Sequence, residues 1–204
     1  MTNSLSIRTY SLEELGHGSA VKDLAGIASG IVLVSGPIGS GKTTTLRSLA
    51  HETSASRGRK SIELTSHGLP EDVGVEKYYM PERSHKGKVN VGRGNLDTLQ
   101  KAHKYSLKTA SDVMDLDIEV VFIDDLRRPE TARIATHLAE CGVLVIASVH
   151  NSGEPAEAIK FLDFLLSQLG VSGSCTGLVP AVLHQRLSRS LNGKFQLDSK
   201  VFTG

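Results

Sequence analysis

Residues 31–52 read IVLVSGPIGSGKTTTLRSLAHE, and no other stretch constrains the fold as strongly. Residues 31–35 form a short apolar run of strand length, bounded by glycine. Residues 44–52 place Leu46, Leu49 and Ala50 at the i, i+3, i+4 spacing of a helix. Between them, Gly36-Pro37-Ile38-Gly39-Ser40-Gly41-Lys42-Thr43 fits G-x-x-x-x-G-K-[ST] at every position. The glycines let several backbone N–H groups turn inward, and the helix adds its positive end to the same anion site. Lys42 is placed to reach the β- and γ-phosphates. The Thr43 hydroxyl suits a Mg²⁺ shell, and Thr44 follows in the same helical turn. The loop therefore predicts ATP with Mg²⁺ as ligands.

The remaining pattern alternates strands and helices. Strands are expected at 62–65, 120–123, 143–148 and 181–187. Helices are expected at 96–113, after Pro129 in a first-turn position, and at 154–169, where Ala158, Phe161, Leu162, Leu165, Leu166 and Leu169 make one apolar stripe. Gly170 then stands where a helix terminates. Residues 12–27 suggest a short helical prelude broken at 16–18, and 81–95 reads as a basic loop. The expected fold class is α/β, with a mostly parallel sheet covered by helices on both faces. The 204 residues suffice for one domain over 1–204, with 1–30 as a linker-like prelude.

Composition excludes several other classes. A net charge of +1 gives no global field toward nucleic acid, and with 4% aromatics and no Trp no base-stacking platform is expected. The two cysteines, Cys141 and Cys175, have no metal-like spacing and suit a reducing cytosol. No apolar run approaches the roughly 18–20 residues of a membrane span. The first residues lack the apolar region of a secretory signal, so a cytoplasmic location is expected.

The apolar run VVFI at 120–123 ends in Asp124 and Asp125. Carboxylates at the C-terminal end of a buried strand face the ligand crevice of an open α/β sheet. One is expected to hold Mg²⁺ through water and the other to orient the attacking water. Because neighbouring strand residues point to opposite faces, only one faces the phosphates directly. The same residues also serve as plain helix caps in other proteins.

Here the chain resembles the type II/IV secretion and pilus ATPases, the PilT-like group. The stretch LEELGHGSAVKDLAGIASGIVLVSGPIGSGKTTTL is similar to that family's linker and Walker A box. VVFIDDLRRPETARIATHLAECGVLVIASVHNS is similar to its Walker B and His boxes, and VLHQRLSR to its late Q-R-L segment. The resemblance implies a RecA-like P-loop core, ATP hydrolysis, a hexameric ring and an inner-membrane platform as partner; the few aromatics and short basic patch lead us to expect no direct nucleic-acid contact. It places Asp125 at the Walker B glutamate and Asp124 at a glycine. Arg127, Glu130 and Thr131 match R-D-x-E-T, and Ser148 and His150 match T-x-H, whose histidine senses the γ-phosphate. On the residues alone, His150 lies just past a strand end, either beside the phosphates or as a solvated loop histidine.

Two departures stand out. The family carries an acidic T-I-E-D-P segment whose glutamate activates water; here the stretch is RKSIELTSHGLPED. Either Glu63 is that glutamate, or Ser66 and His67 replace the acidic pair. The family also carries an N-terminal PAS-like domain that helps close the ring, and this sequence opens almost at the linker, so a weaker oligomer is expected. Arg83, His85, Lys86, Lys88 and Arg93 populate the basic loop. By resemblance, arginines such as Arg83 and Arg93 reach a nucleotide, some across a subunit boundary. The plain alternative is a solvated loop. Three functional readings follow: a motor ATPase of a pilus, conjugation or secretion machine; a nucleotide-binding regulator of such a machine; or a small P-loop kinase.

Overall fold

The computed structural model describes residues 9–65, 76–79, 96–189, 193 and 195–203. Seven strands form one sheet: β1 (Gly30–Gly36), β2 (Ser61–Thr65), β3 (Glu76–Tyr79), β4 (Val120–Ile123), β5 (Leu144–His150), β6 (Ala181–Arg189) and β7 (Phe195–Thr203). Their order is β3-β2-β4-β5-β1-β6-β7. All neighbours are parallel except β6 and β7, which form an antiparallel hairpin.

The central strands are apolar in nearly every residue because both faces are covered. One face carries α3 (Leu96–Met114), α4 (Pro129–Glu140) and α5 (Pro155–Ser167). There Ile31, Leu33, Val121, Ile123, Val145 and Ala147 pack against Ala110, Ile134, Leu138, Leu162 and Leu166. The opposite face carries α1 (Ser19–Asp23) and α2 (Lys42–His51). There Val32, Val34, Phe122 and Ile146 meet Val21, Leu24, Leu46 and Leu49. The alternation along β1 thus assigns each residue to one of two cores.

Several boundaries differ from the sequence reading. The helix expected at 44–52 begins at Lys42 and continues past His51 as a wider turn, Glu52–Ser56, where the Thr53 and Ser54 hydroxyls bond back to the carbonyls of Leu49 and Ala50. The prelude is a turn followed by the short α1 and a single 3-10 turn, Leu24–Gly26. The strand expected to stop at Ser148 runs on to His150, so this histidine is the last residue of β5 rather than a residue beyond it. The strand expected at 181–187 extends to Arg189. β3 and β7 were not expected at all. The basic loop at 81–95, with Arg83, His85, Lys86, Lys88 and Arg93, lies outside the described residues, as do Ser66 and His67.

Candidate active site

β1 delivers the phosphate loop at the C-terminal edge of the sheet. It lies where the chain continues to strands on one side of β1 while β6 occupies the other, the crevice in which open α/β sheets hold ligands. Two glycines are required by geometry. Gly41 caps α2 in the left-handed region (φ 86°). A Cβ on Gly36 would collide with the Gln185 carbonyl oxygen and lie 2.7 Å from Ser40 Oγ. Gln185 comes from β6, is fully buried, and donates from Nε2 to the Ser40 carbonyl at 2.7 Å. The late Q-R-L segment therefore braces the phosphate loop from the neighbouring strand. Ile38, by contrast, stands 84% exposed at the loop tip.

Lys42 is buried, and its ammonium donates to the carbonyls of Gly36 at 2.9 Å and Pro37 at 2.8 Å. Burial lowers its pKa, and the Asp124 charge pulls the other way. Thr43 donates to the Asp124 carboxylate, 3.0 Å to Oδ2. Ser148 on β5 donates to Asp124 Oδ1 at 2.8 Å and accepts the Asp125 backbone N–H at 2.9 Å. One hydroxyl thus ties both aspartates to the neighbouring strand.

The two carboxylates diverge, because Asp125 turns to φ 72° two residues past the strand. Asp124 meets the phosphate loop. Asp125 meets Arg127 and His150, with His150 Nε2 3.6 Å from its Oδ1. His150 stands in register beside Gly36, and the next residue, Asn151, donates its N–H to the Gly36 carbonyl at 3.1 Å. Burial lowers the His150 pKa, and the nearby charges of Lys42 and Arg127 lower it further against the pull of Asp124. The balance favours the neutral imidazole.

Glu63 is 4% exposed on β2 and in register with Phe122 on β4. Its strand neighbours Ile62 and Leu64 belong to the core under α3–α5, so Glu63 points to the α2 side, as Phe122 does. It is not the solvent-facing strand residue that its polar character allowed. It lies one strand across and two residues back from Asp124.

The donor set suits the expected ion. Thr43 Oγ1 and the Asp124 carboxylate are hard oxygens held side by side, and Mg²⁺ takes one or two such ligands together with water and phosphate oxygens. Among the described residues no cluster of three or more His, Cys, Asp or Glu forms a metal cage.

Fold and loop together define a RecA-like P-loop domain. Solved structures agree on the fold: the ATPase DotB of Legionella pneumophila superposes with a TM-score of 0.70 at 17% identity, covering 96% of this chain and 51% of that one. The pilus retraction motor PilT with bound ADP gives 0.62 at 19% identity, covering 98% and 55%. The chain belongs to the Type II/IV secretion system protein family, whose model matches residues 2–200. Among curated relatives, the uncharacterized protein YggR of Escherichia coli is 29% identical over 178 residues, 86% of this chain and 50% of the relative. The type IV pilus retraction ATPase PilT of Pseudomonas aeruginosa is 26% identical over 188 residues, 91% of this chain and 50% of the relative. The chain thus spans about half the length of these relatives.

Proposed function

We propose that this chain is the ATPase domain of a pilus, conjugation or secretion motor, binding ATP with Mg²⁺ and hydrolysing it to drive movement between subunits. The observation that carries this reading is the hydrogen-bonded series Thr43–Asp124–Ser148–Asp125, set against the buried Lys42. It brings the metal-side and water-side groups of a phosphoryl-transfer site to one strand edge beside the phosphate loop. Lys42 offsets the charge on the β- and γ-phosphates in a partly desolvated pocket. The loop N–H groups and the α2 N-terminus hold the phosphate oxygens.

Thr43 and Asp124 would hold Mg²⁺, which when bound neutralises charge between the β- and γ-phosphates. Both aspartates were candidates for the metal; on this reading Asp124 takes the metal side, and Asp125, at the Walker B glutamate by resemblance, orients water together with His150. Neutral His150 can donate a hydrogen bond toward the γ-phosphate or accept one from water. Glu63, on the same sheet face as Asp124, is the candidate to accept the proton of the attacking water. Arg93 and Arg83 are the candidates to complete the site from a neighbouring copy, and the membrane-side platform of the machine is the proposed partner.

ATP turnover by the purified chain tests the reading, with Lys42→Ala as the control. The charge-assisted contacts of a buried ammonium are worth about 1.5–3 kcal/mol each, so the variant is expected to lose at least tenfold in nucleotide affinity and nearly all turnover. Parental affinity and turnover in Lys42→Ala would remove the phosphate-loop assignment. Tight nucleotide binding with no turnover in the parent would favour the regulator.

A further inference from the structure

β7 is the last strand of the sheet, and among the described residues nothing pairs with its outer side. It is a long edge by the standards of natural proteins. Nine residues pair with β6 in unbroken antiparallel register, from Ala181↔Thr203 to Arg189↔Phe195, with no bulge and no proline. Edge strands are ordinarily blunted by shortness, bulges, prolines or charges that repel a second edge. The charges are the only such device on β7, and their placement reverses their effect.

The strand reads FQLDSKVFT. About a two-fold axis at Ser199, an antiparallel copy sets Asp198 opposite Lys200 and Lys200 opposite Asp198. The same register sets Leu197 opposite Val201 and Phe202 opposite Gln196. Asp198, Lys200 and Phe202 are exposed, and they share the sheet face of their β6 partners Arg186, His184 and Val182. A second copy therefore continues a row of alternating charge, Arg186–Asp198–Lys200, across the boundary. Phe202, 43% exposed, flanks it as apolar surface on the same face. A two-residue slip would centre the axis on Asp198 or on Lys200 and set that charge opposite its own copy, so the register is specified.

We propose that β7 is a two-fold interface between copies of this chain, joining two sheets edge to edge through their main-chain groups, with Asp198 and Lys200 fixing register and orientation. The partner is a second copy because the strand is complementary to itself. The contact is isologous, and it is of the small, transient size class.

Sedimentation equilibrium over about 1–200 µM chain tests it. The parent is expected to pass from monomer toward dimer. Asp198→Lys and Lys200→Asp each set like charges opposite one another twice and are expected to weaken association about tenfold or more. An equimolar mixture of the two restores both opposite-charge pairs and is expected to dimerise again, as is the double variant Asp198→Lys/Lys200→Asp. Near-parental thermal unfolding and ATP affinity of each variant exclude misfolding. Should one single variant not fold, the double variant against the other single variant gives the same comparison. A parent that stays monomeric throughout, single variants that associate as tightly as the parent, a mixture that fails to recover, or an assembly indifferent to all these changes would each overturn the proposal. The readout is mass, so its failure is distinct from a failure of ATP turnover.

Discussion

Asp124 and Asp125 are adjacent in sequence and chemically alike, yet the backbone gives them separate surroundings. The Thr43 hydroxyl bonds only the first, and Arg127 and His150 lie against the second. Their variants are therefore expected to separate. Asp124→Asn should raise the Mg²⁺ concentration needed for half-maximal activity about tenfold or more, because a carboxylate ligand becomes an amide. Asp125→Asn should leave that concentration near parental and lower the rate. Glu63→Gln should keep ATP affinity and lose most turnover, since the amide cannot take a proton. Mg²⁺ titrations of turnover, run beside nucleotide-binding titrations, distinguish the three. A parental rate in Glu63→Gln would shift attention to Ser66 and His67.

At the scale of elements, β6 is a brace. Gln185→Ala removes the donor to the Ser40 carbonyl and empties space beside Gly41. Leaving that carbonyl unsatisfied costs about 1–3 kcal/mol. Weaker nucleotide binding and a lower melting temperature are expected together, although Gln185 is absent from the motif itself.

His17 plays a comparable part among α1, α2 and β7. Its two ring nitrogens lie 3.0 Å from Thr45 Oγ1 and 3.0 Å from Ser199 Oγ. Burial lowers its pKa from the ordinary 6.5, and burial lowers those of His150 and His184 as well. Below 6.5 the unfolded chain therefore binds more protons than the fold. Stability is intact above that value and is lost as pH falls through the lowered folded-state values. Melting temperatures from about pH 7.5 to about pH 5.5 should fall, and His17→Gln should fall less steeply over the same window.

The elements also show what a sequence can carry. The phosphate loop was legible because glycine spacing encodes backbone shape directly. The central strands were legible because burial on both faces writes an unbroken apolar run. β7 was not, since FQLDSKVFT mixes exposed polar and apolar residues as an edge strand does and lies across a hairpin. The role of Gln185 was hidden because its partner is a main-chain carbonyl 145 residues away. The division of labour between the aspartates depended on the turn at Asp125, which the pair of letters does not announce.

For the whole molecule, the proposed motor role makes a prediction about assembly. If Arg93 completes the site of a neighbour, turnover per chain should rise with protein concentration, because a site shared between copies needs both. Arg93→Ala should flatten that rise while leaving ATP affinity nearly intact. Asp198→Lys should leave it in place if the ring contact and the β7 contact are separate surfaces. Specific activity measured across about a hundredfold range of concentration decides the matter. A flat profile from a monomeric protein would mean that each chain works alone.

One consequence follows from the way Lys42 is held. Its ammonium bonds the carbonyls of Gly36 and Pro37, and each of those oxygens has a second donor: the Asn151 N–H for Gly36 and the Ser40 N–H, at 3.2 Å, for Pro37. When Lys42 swings toward a phosphate, neither carbonyl is left bare. The loop keeps its main-chain bonds and its shape, and only a side chain moves. Capture of the phosphates is then a rotamer change on a rigid cradle, fast and reversible. If the chain hydrolyses ATP as proposed, the slower rearrangements of its cycle lie elsewhere in the molecule.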